Sequence, residues 1–254
     1  MAKVSLKSPA EISLMRESSR IVAQVLQIVK GLIKPGITTK ELDDVAEEFI
    51  RSQGGEPAFK GYGTNKHNLF PASLCISIDD QVVHGIPGHR KLVEGELVSI
   101  DVGVKKHEFY GDGAWTFPVG KVSGDKARLM KVTEESLFRG IDQARAGNRV
   151  HDISSAVQSC VEREGFSVVR DLVGHGVGRA LHEDPAVPNY GQAGTGMVLQ
   201  KGMTIAIEPM VNFGKFKVTL DADGWTIRTS DGSPSAHFEH TIAITDDTPE
   251  ILTR

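Results

Sequence analysis

Residues 36–54, GITTKELDDVAEEFIRSQG, return in altered form as residues 147–165, GNRVHDISSAVQSCVEREG. The offset is a uniform 111 residues: Gly36 falls on Gly147, Leu42 on Ile153, Phe49 on Cys160, Ile50 on Val161 and Gly54 on Gly165. In the first copy Thr38 is placed to cap a helix, with Glu41 three residues on completing a capping box. Leu42, Val45, Ala46, Phe49 and Ile50 give that helix one apolar face. Each copy follows another helical stretch. Residues 9–33 carry Ile12, Met15, Ser19, Val22 and Leu26 at helical spacing and stop at KPG, 34–36; KVTEESLFRGIDQARAG, 131–147, precedes the second copy. Two readings are open: any two helix–turn–helix segments share such a pattern, or the chain is an internal duplication divided near residue 125. The second predicts a single domain over 1–254 with similar halves, about 1–125 and 126–254, and directs attention to polar residues of both halves together.

Working outward, the segments LCISI, LVSIDVGV, GAWTFPV, TIAIEPMV, GWTIRTS and HTIAIT are rich in β-branched and aromatic residues and read as strands. A helix pair followed by strand runs in each half predicts an α/β (α+β) fold, a curved antiparallel sheet with helices on the outside.

The bulk properties exclude several function classes. The 254 residues are 39% hydrophobic and 24% charged with a net charge of −4, ordinary values for a soluble globular protein, without the basic excess of a nucleic-acid binder. Two cysteines, Cys75 and Cys160, form no disulfide framework and suit a reducing compartment. The first residues, MAKVSLKSPAEISLMRES, contain no apolar signal-peptide core. The longest apolar stretch, Ile21 to Ile33, is interrupted by Gln24, Gln27 and Lys30 and is too short to span a bilayer. The expectation is a cytoplasmic protein with no DNA or membrane partner.

Four acids stand in apolar company: Asp101 in VSIDVGV, Asp112 in FYGDGAWTF, Glu208 in IAIEPM and Glu239 in HFEHTIAI. A buried, unpartnered carboxylate is costly and normally neutralises, pairs with a cation or binds metal. Any one of them could instead face solvent from its strand; four, with no evident set of buried Lys or Arg, are harder to place there. The eleven-residue spacing of Asp101 and Asp112 fits a hairpin that brings both side chains to one point on adjacent strands. GHGVGRALHEDP, 174–185, adds His175 and His182. Oxygen-rich ligands with one imidazole suit Mn, Fe, Co or Zn, and four carboxylates are enough to bridge two ions. No G-x-S-x-G, H-E-x-x-H or G-x-x-x-x-G-K-[ST] is present, and GHGVG lacks the spacing of a dinucleotide loop.

Taken together and in order, VVHGIPG, VSIDVGV, YGDGAWTF, GHGVGRALHEDPAVPNY, IAIEPM and FEHTIAIT resemble the type I methionine aminopeptidases, in their short bacterial form, over nearly the whole chain. The resemblance implies the pita-bread fold, pseudo-two-fold in architecture, and metal-dependent hydrolysis that removes an N-terminal methionine when the second residue is small. It implies two divalent ions held by Asp101, Asp112, His175, Glu208 and Glu239. It makes Glu208 a proton shuttle as well as a ligand, His182 the group that stabilises the developing oxyanion, and His84 a holder of the substrate backbone beyond the scissile bond. Phe59, Tyr62, Phe70, Cys75, Leu181 and Trp225 correspond to the methionine pocket, where aromatic faces suit a thioether. The partners implied are nascent polypeptide N-termini near the ribosome, met by a monomer. YGTNKHNLFPAS, Leu172 and Leu181 depart from the family pattern, which bears on pocket shape rather than on the acids. Two alternatives remain: an X-Pro aminopeptidase, which usually carries a large extra N-terminal domain, and a catalytically inactive binding protein on the same fold. Glu183 and Asp184 read as solvated. The chain's own start, Met1-Ala2, is of the kind such an enzyme trims.

Overall fold

The computed structural model describes residues 4–254, so Met1 and Ala2 lie outside the described residues. The first half of the chain forms α1 (Pro9–Leu32), α2 (Thr39–Ser52), β1 (Glu56–Pro57), β2 (Leu74–Ile78), β3 (Gln81–Val83), β4 (Leu97–Lys106) and β5 (Phe109–Pro118). The second forms α3 (Gly124–Gln143), α4 (Val150–Arg163), β6 (Ser167–Val168), β7 (Gly174–Gly176), β8 (Glu183–Val187), β9 (Thr204–Ile207), β10 (Met210–Asn212), β11 (Val218–Leu220), β12 (Ile227–Thr229), β13 (Ser235–His237), β14 (His240–Ala243) and β15 (Glu250–Ile251). Every pairing between them is antiparallel.

The helices start where their caps allow. Ser8 accepts from the Glu11 N–H while the Glu11 carboxylate accepts from the Ser8 N–H, and Pro9 occupies the first turn, where its missing donor costs nothing. Thr38 and Glu41 repeat the reciprocal pair at α2. At α4 only half of it survives: the Arg149 N–H donates to Asp152 Oδ2, 2.7 Å, and the Arg149 side chain offers no acceptor in return.

The sequence repeat has a structural counterpart. α2 and α4 span the same positions at the 111-residue offset, each with fourteen residues. The glycines before them, Gly36 and Gly147, have φ of 94° and 93°, and those after them, Gly54 and Gly165, 70° and 80°. Each helix pair covers its own core. α1 and α2 bury Val22, Val25, Leu42 and Ile50 against Leu74, Ile76, Ile100 and Val102 of β2 and β4. α3 and α4 bury Leu129, Leu137, Ile153 and Val157 against Ile205, Ile207 and Ile242 of β9 and β14. Trp115, on β5, packs against both cores.

The strand expectations hold in kind and shift at the ends. LCISI is β2 to the residue. TIAIEPMV divides at Glu208–Pro209 into β9 and β10, because proline has no N–H to give the ladder. β7 and β8 arise in the glycine-rich GHGVGRALHEDPAV, which shows no strand periodicity.

Candidate active site and metal centre

All thirteen residues singled out above line one cavity of about 120 Å³. The hairpin of β4 and β5 supplies two acids. Asp101 stands opposite Ala114 and Asp112 opposite Gly103, so the two carboxylates lie diagonally on one face of the ladder. Thr241 Oγ1 fixes the backbone at Asp112, accepting from its N–H (3.1 Å) and donating to its carbonyl (2.7 Å). The break at Pro209 leaves Glu208 between strands, where Asn189 Nδ2 donates to its carbonyl oxygen, 3.0 Å. Glu239 follows β13, its backbone paired with Ala114.

β7 brings His175 to the acids. The glycines beside it are required by close packing: a Cβ on Gly174 would lie 2.4 Å from the Ala206 carbonyl oxygen, and one on Gly176 2.4 Å from that of Asp184. His175 Nδ1–H donates to the Gly176 carbonyl, 2.9 Å, which sets the tautomer and leaves the Nε2 lone pair facing the acids. From Nε2 the nearest carboxylate oxygens are Glu208 Oε1 at 3.4 Å and Asp112 Oδ2 at 3.9 Å.

Among the described residues, no Lys or Arg side chain pairs with these acids. Asp101 Oδ1, Asp112 Oδ1 and Glu239 Oε1 are buried without a hydrogen-bond partner. Burial pushes the Asp101 carboxyl up to about 7. Burial and the mutual repulsion of neighbouring acids push Asp112 and Glu239 well above the carboxylate range; for Glu208 burial leads and Asp101 adds to it. Burial holds His175 down to about 4, so its imidazole is neutral, the form that ligates. Ligand atoms of Asp112, His175 and Glu239 lie within 4.8 Å of one another. Crowded buried carboxylates with unpaired oxygens and a neutral, oriented imidazole fit divalent cations, whose charge offsets the desolvation that otherwise forces protons onto the acids.

The remaining residues divide into rim and wall. His182 and Tyr62 are exposed at the mouth and joined by a hydrogen bond between Tyr62 Oη and His182 Nδ1, 2.7 Å; the His182 and His175 rings lie 4.2 Å apart. His84 follows β3 in the left-handed region, φ 59°, and burial lowers it to about 4. Such a conformation in a histidine is strained and persists where surroundings hold it. Phe59, Phe70, Cys75 and Leu181 are buried together, with Trp225 packed edge-on against Phe70 at 5.3 Å. The 62–71 loop closes at its base, where Gly61 N–H donates to Phe70 O and Phe70 N–H to Tyr62 O, and this turns Phe70 inward.

Two residues take a different place from the sequence reading. Glu183 is not solvated: its carboxylate pairs with buried Lys7 and accepts from the Arg179 and Ala180 N–H groups, tying the start of α1 to the loop after His175. Asp184 is exposed, as expected. His237 was not singled out at all. Its side chain is 2% exposed, and Nε2 lies 3.7 Å from Glu208 Oε2 and 4.0 Å from Glu239 Oε2. The signal was available: His237 precedes Glu239 by two, the period that puts side chains on one face of an extended chain.

A helix-flanked antiparallel fold built around buried acids is a frame for a metal-dependent enzyme, and the sequence model of metallopeptidase family M24 matches residues 13–246. Methionine aminopeptidase 1 of Bacillus subtilis (strain 168) is 53% identical over 248 residues, 98% of this chain and 98% of that protein. The crystal structure of methionine aminopeptidase from Thermotoga maritima superposes with a TM-score of 0.96 at 45% identity, covering 99% of this chain and all of that one. The chain therefore belongs to the methionine aminopeptidases of family M24 and has the pita-bread fold. Prolidase from Pyrococcus furiosus shares that fold alone: TM-score 0.78, 22% identity, and only 65% of its length covered.

Proposed function

We propose that this protein removes the N-terminal methionine from polypeptides by metal-dependent hydrolysis when the second residue is small. The observation that carries this is a single cavity in which four crowded acids and an oriented imidazole adjoin an apolar wall of methionine-compatible side chains. Divalent cations, two in this reading and drawn from Co, Mn, Fe or Zn, would be held by Asp101, Asp112, His175, Glu208 and Glu239 and would polarise the scissile carbonyl and acidify water beside it.

The chain's own residues do the rest. Glu208 takes a proton from the attacking water and passes it to the leaving amine. With the Tyr62 hydroxyl donating to Nδ1, the proton of neutral His182 stands on Nε2, a donor directed at the developing oxyanion. His84, neutral at working pH, holds the substrate backbone past the scissile bond. Phe59, Tyr62, Phe70, Cys75, Leu181 and Trp225 receive the methionine side chain. Substrates in the cell would be nascent N-termini at the ribosome, met by a monomer in the cytoplasm. No helix among the described residues is long and apolar enough to cross a membrane.

The test is peptide hydrolysis with Mn or Co supplied. Met-Ala-Ser is cleaved, a chelator abolishes cleavage, and an X-Pro peptide is not turned over. Glu208→Gln loses at least about 100-fold in kcat, in the range set by loss of a proton-transfer group, and His175→Ala loses activity through loss of the nitrogen ligand, both with unchanged circular dichroism. Cleavage of the X-Pro peptide alone would point to the prolidase-like alternative, and no cleavage of either peptide to an inactive member of the fold.

A further inference from the structure

His237 has no use in the scheme above, and its surroundings give it no ordinary structural one. Thr116 holds its backbone from both sides: Thr116 Oγ1 accepts from the His237 N–H (2.9 Å) and donates to its carbonyl (2.8 Å). β13 pairs with β10 so that His237 stands opposite Met210. Phe238 turns into the core against Trp115, ring centroids 4.8 Å apart, while His237 and Glu239 turn the other way. The imidazole thus arrives among the acids on a rigid strand. Both its ring nitrogens are buried without a hydrogen-bond partner. A packed core has no need of such a group, because an apolar side chain of the same size would leave nothing unsatisfied.

Glu208 lies between two imidazoles. Oε1 faces His175 Nε2 at 3.4 Å and Oε2 faces His237 Nε2 at 3.7 Å. A carboxylate that ligates through one oxygen keeps its orientation when the other accepts a hydrogen bond. We propose that His237 is a positioning residue of this centre, its Nε2–H holding Glu208 by Oε2 so that Oε1 stays directed at the cation beside His175. A shift of about half an ångström brings the 3.7 Å separation into hydrogen-bonding range. Glu239 Oε2, at 4.0 Å, is the second acceptor within reach of the same donor. The inference rests on the metal-site reading above.

The experiment compares full-length wild type with His237→Leu, His237→Gln and His237→Ala. Manganese(II) chloride is titrated into chelator-stripped protein by calorimetry, and kcat and KM are measured on Met-Ala-Ser. Wild type binds Mn(II). His237→Leu binds it about 10- to 100-fold more weakly, the usual effect of losing an outer partner of a metal ligand, and its kcat falls while KM holds. His237→Gln, which keeps an N–H donor, recovers most of both. In chelator, His237→Leu melts no lower than wild type, which separates the effect from lost folding; if leucine proves too bulky, His237→Ala repeats the comparison. Wild-type Mn(II) affinity and kcat in His237→Leu and His237→Ala would overturn the proposal. So would an electron spin-echo signal from a directly bound nitrogen that disappears in His237→Leu, since it would make His237 a ligand. Absence of Mn(II) binding by wild type would overturn the metal centre itself.

Discussion

Asp101 shows at the level of one residue what the centre costs when only protons neutralise it. It faces Cys75 across the β2–β4 pairing, and burial raises its carboxyl from 3.8 to about 7. An unfolded chain gives up that proton near pH 4, whereas the folded chain retains it to about 7. The folded state therefore binds more protons between those values, and its stability falls as pH rises through the window. Chelated Asp101→Asn is accordingly more stable than chelated wild type at pH 8, and the difference vanishes toward pH 4; thermal melts of the two proteins across that range measure it. The histidine contributions cancel in the comparison, because both proteins contain them. The acids were legible in the sequence because a carboxylate inside a β-branched run breaks a strong local rule. His237 carried a weaker signal, its two-residue spacing from Glu239, because a lone histidine between Ala236 and Phe238 breaks no comparable rule, and its significance appears when Glu208 arrives from another strand. Glu183 misled for the converse reason: its partner, Lys7, is 176 residues away.

Local signals at the level of elements were strong where one segment decides its own structure. The Thr38 cap and the flanking glycines fix α2, and the same positions fix α4. The two helices nevertheless begin differently, which yields a paired prediction. Thr38→Ala removes a side-chain acceptor from the α2 N-terminus and costs about 1 kcal/mol in urea unfolding. Arg149→Ala, at the equivalent position, costs less, because the α4 cap bond runs from the backbone to Asp152 and the side chain gives up only an exposed hydrogen bond to the Gly196 carbonyl. The short strands β1, β6, β7 and β8 left no periodicity to read, being two to five residues long, with proline in β1 and β8 and glycine in β7. Their pairing is set by partners outside the local segment, such as Pro57 opposite Val104 and Val211 opposite Val168.

Across the whole molecule, the two largest hydrophobic cores share Trp115. Trp115→Ala removes packing from both and costs about 3 kcal/mol, the scale for a large core aromatic. Fluorescence and far-ultraviolet circular dichroism of that variant still report one common unfolding transition, because the β5 and β14 segments remain joined by the Ala114–Glu239 backbone pairs. The acids and imidazole come from both sides of this seam: Asp101 and Asp112 from the first half, His175, Glu208 and Glu239 from the second. A cation seated among them is a tether closing loops of up to 138 residues between Asp101 and Glu239. Breaking it requires ligands from distant parts of the chain to part together, while closing it restricts the unfolded chain as a long-range cross-link does. Stripping the metal should therefore quicken unfolding in urea far more than it slows refolding, and protease resistance of the loaded protein should decay on adding chelator well before any change in its secondary structure is seen.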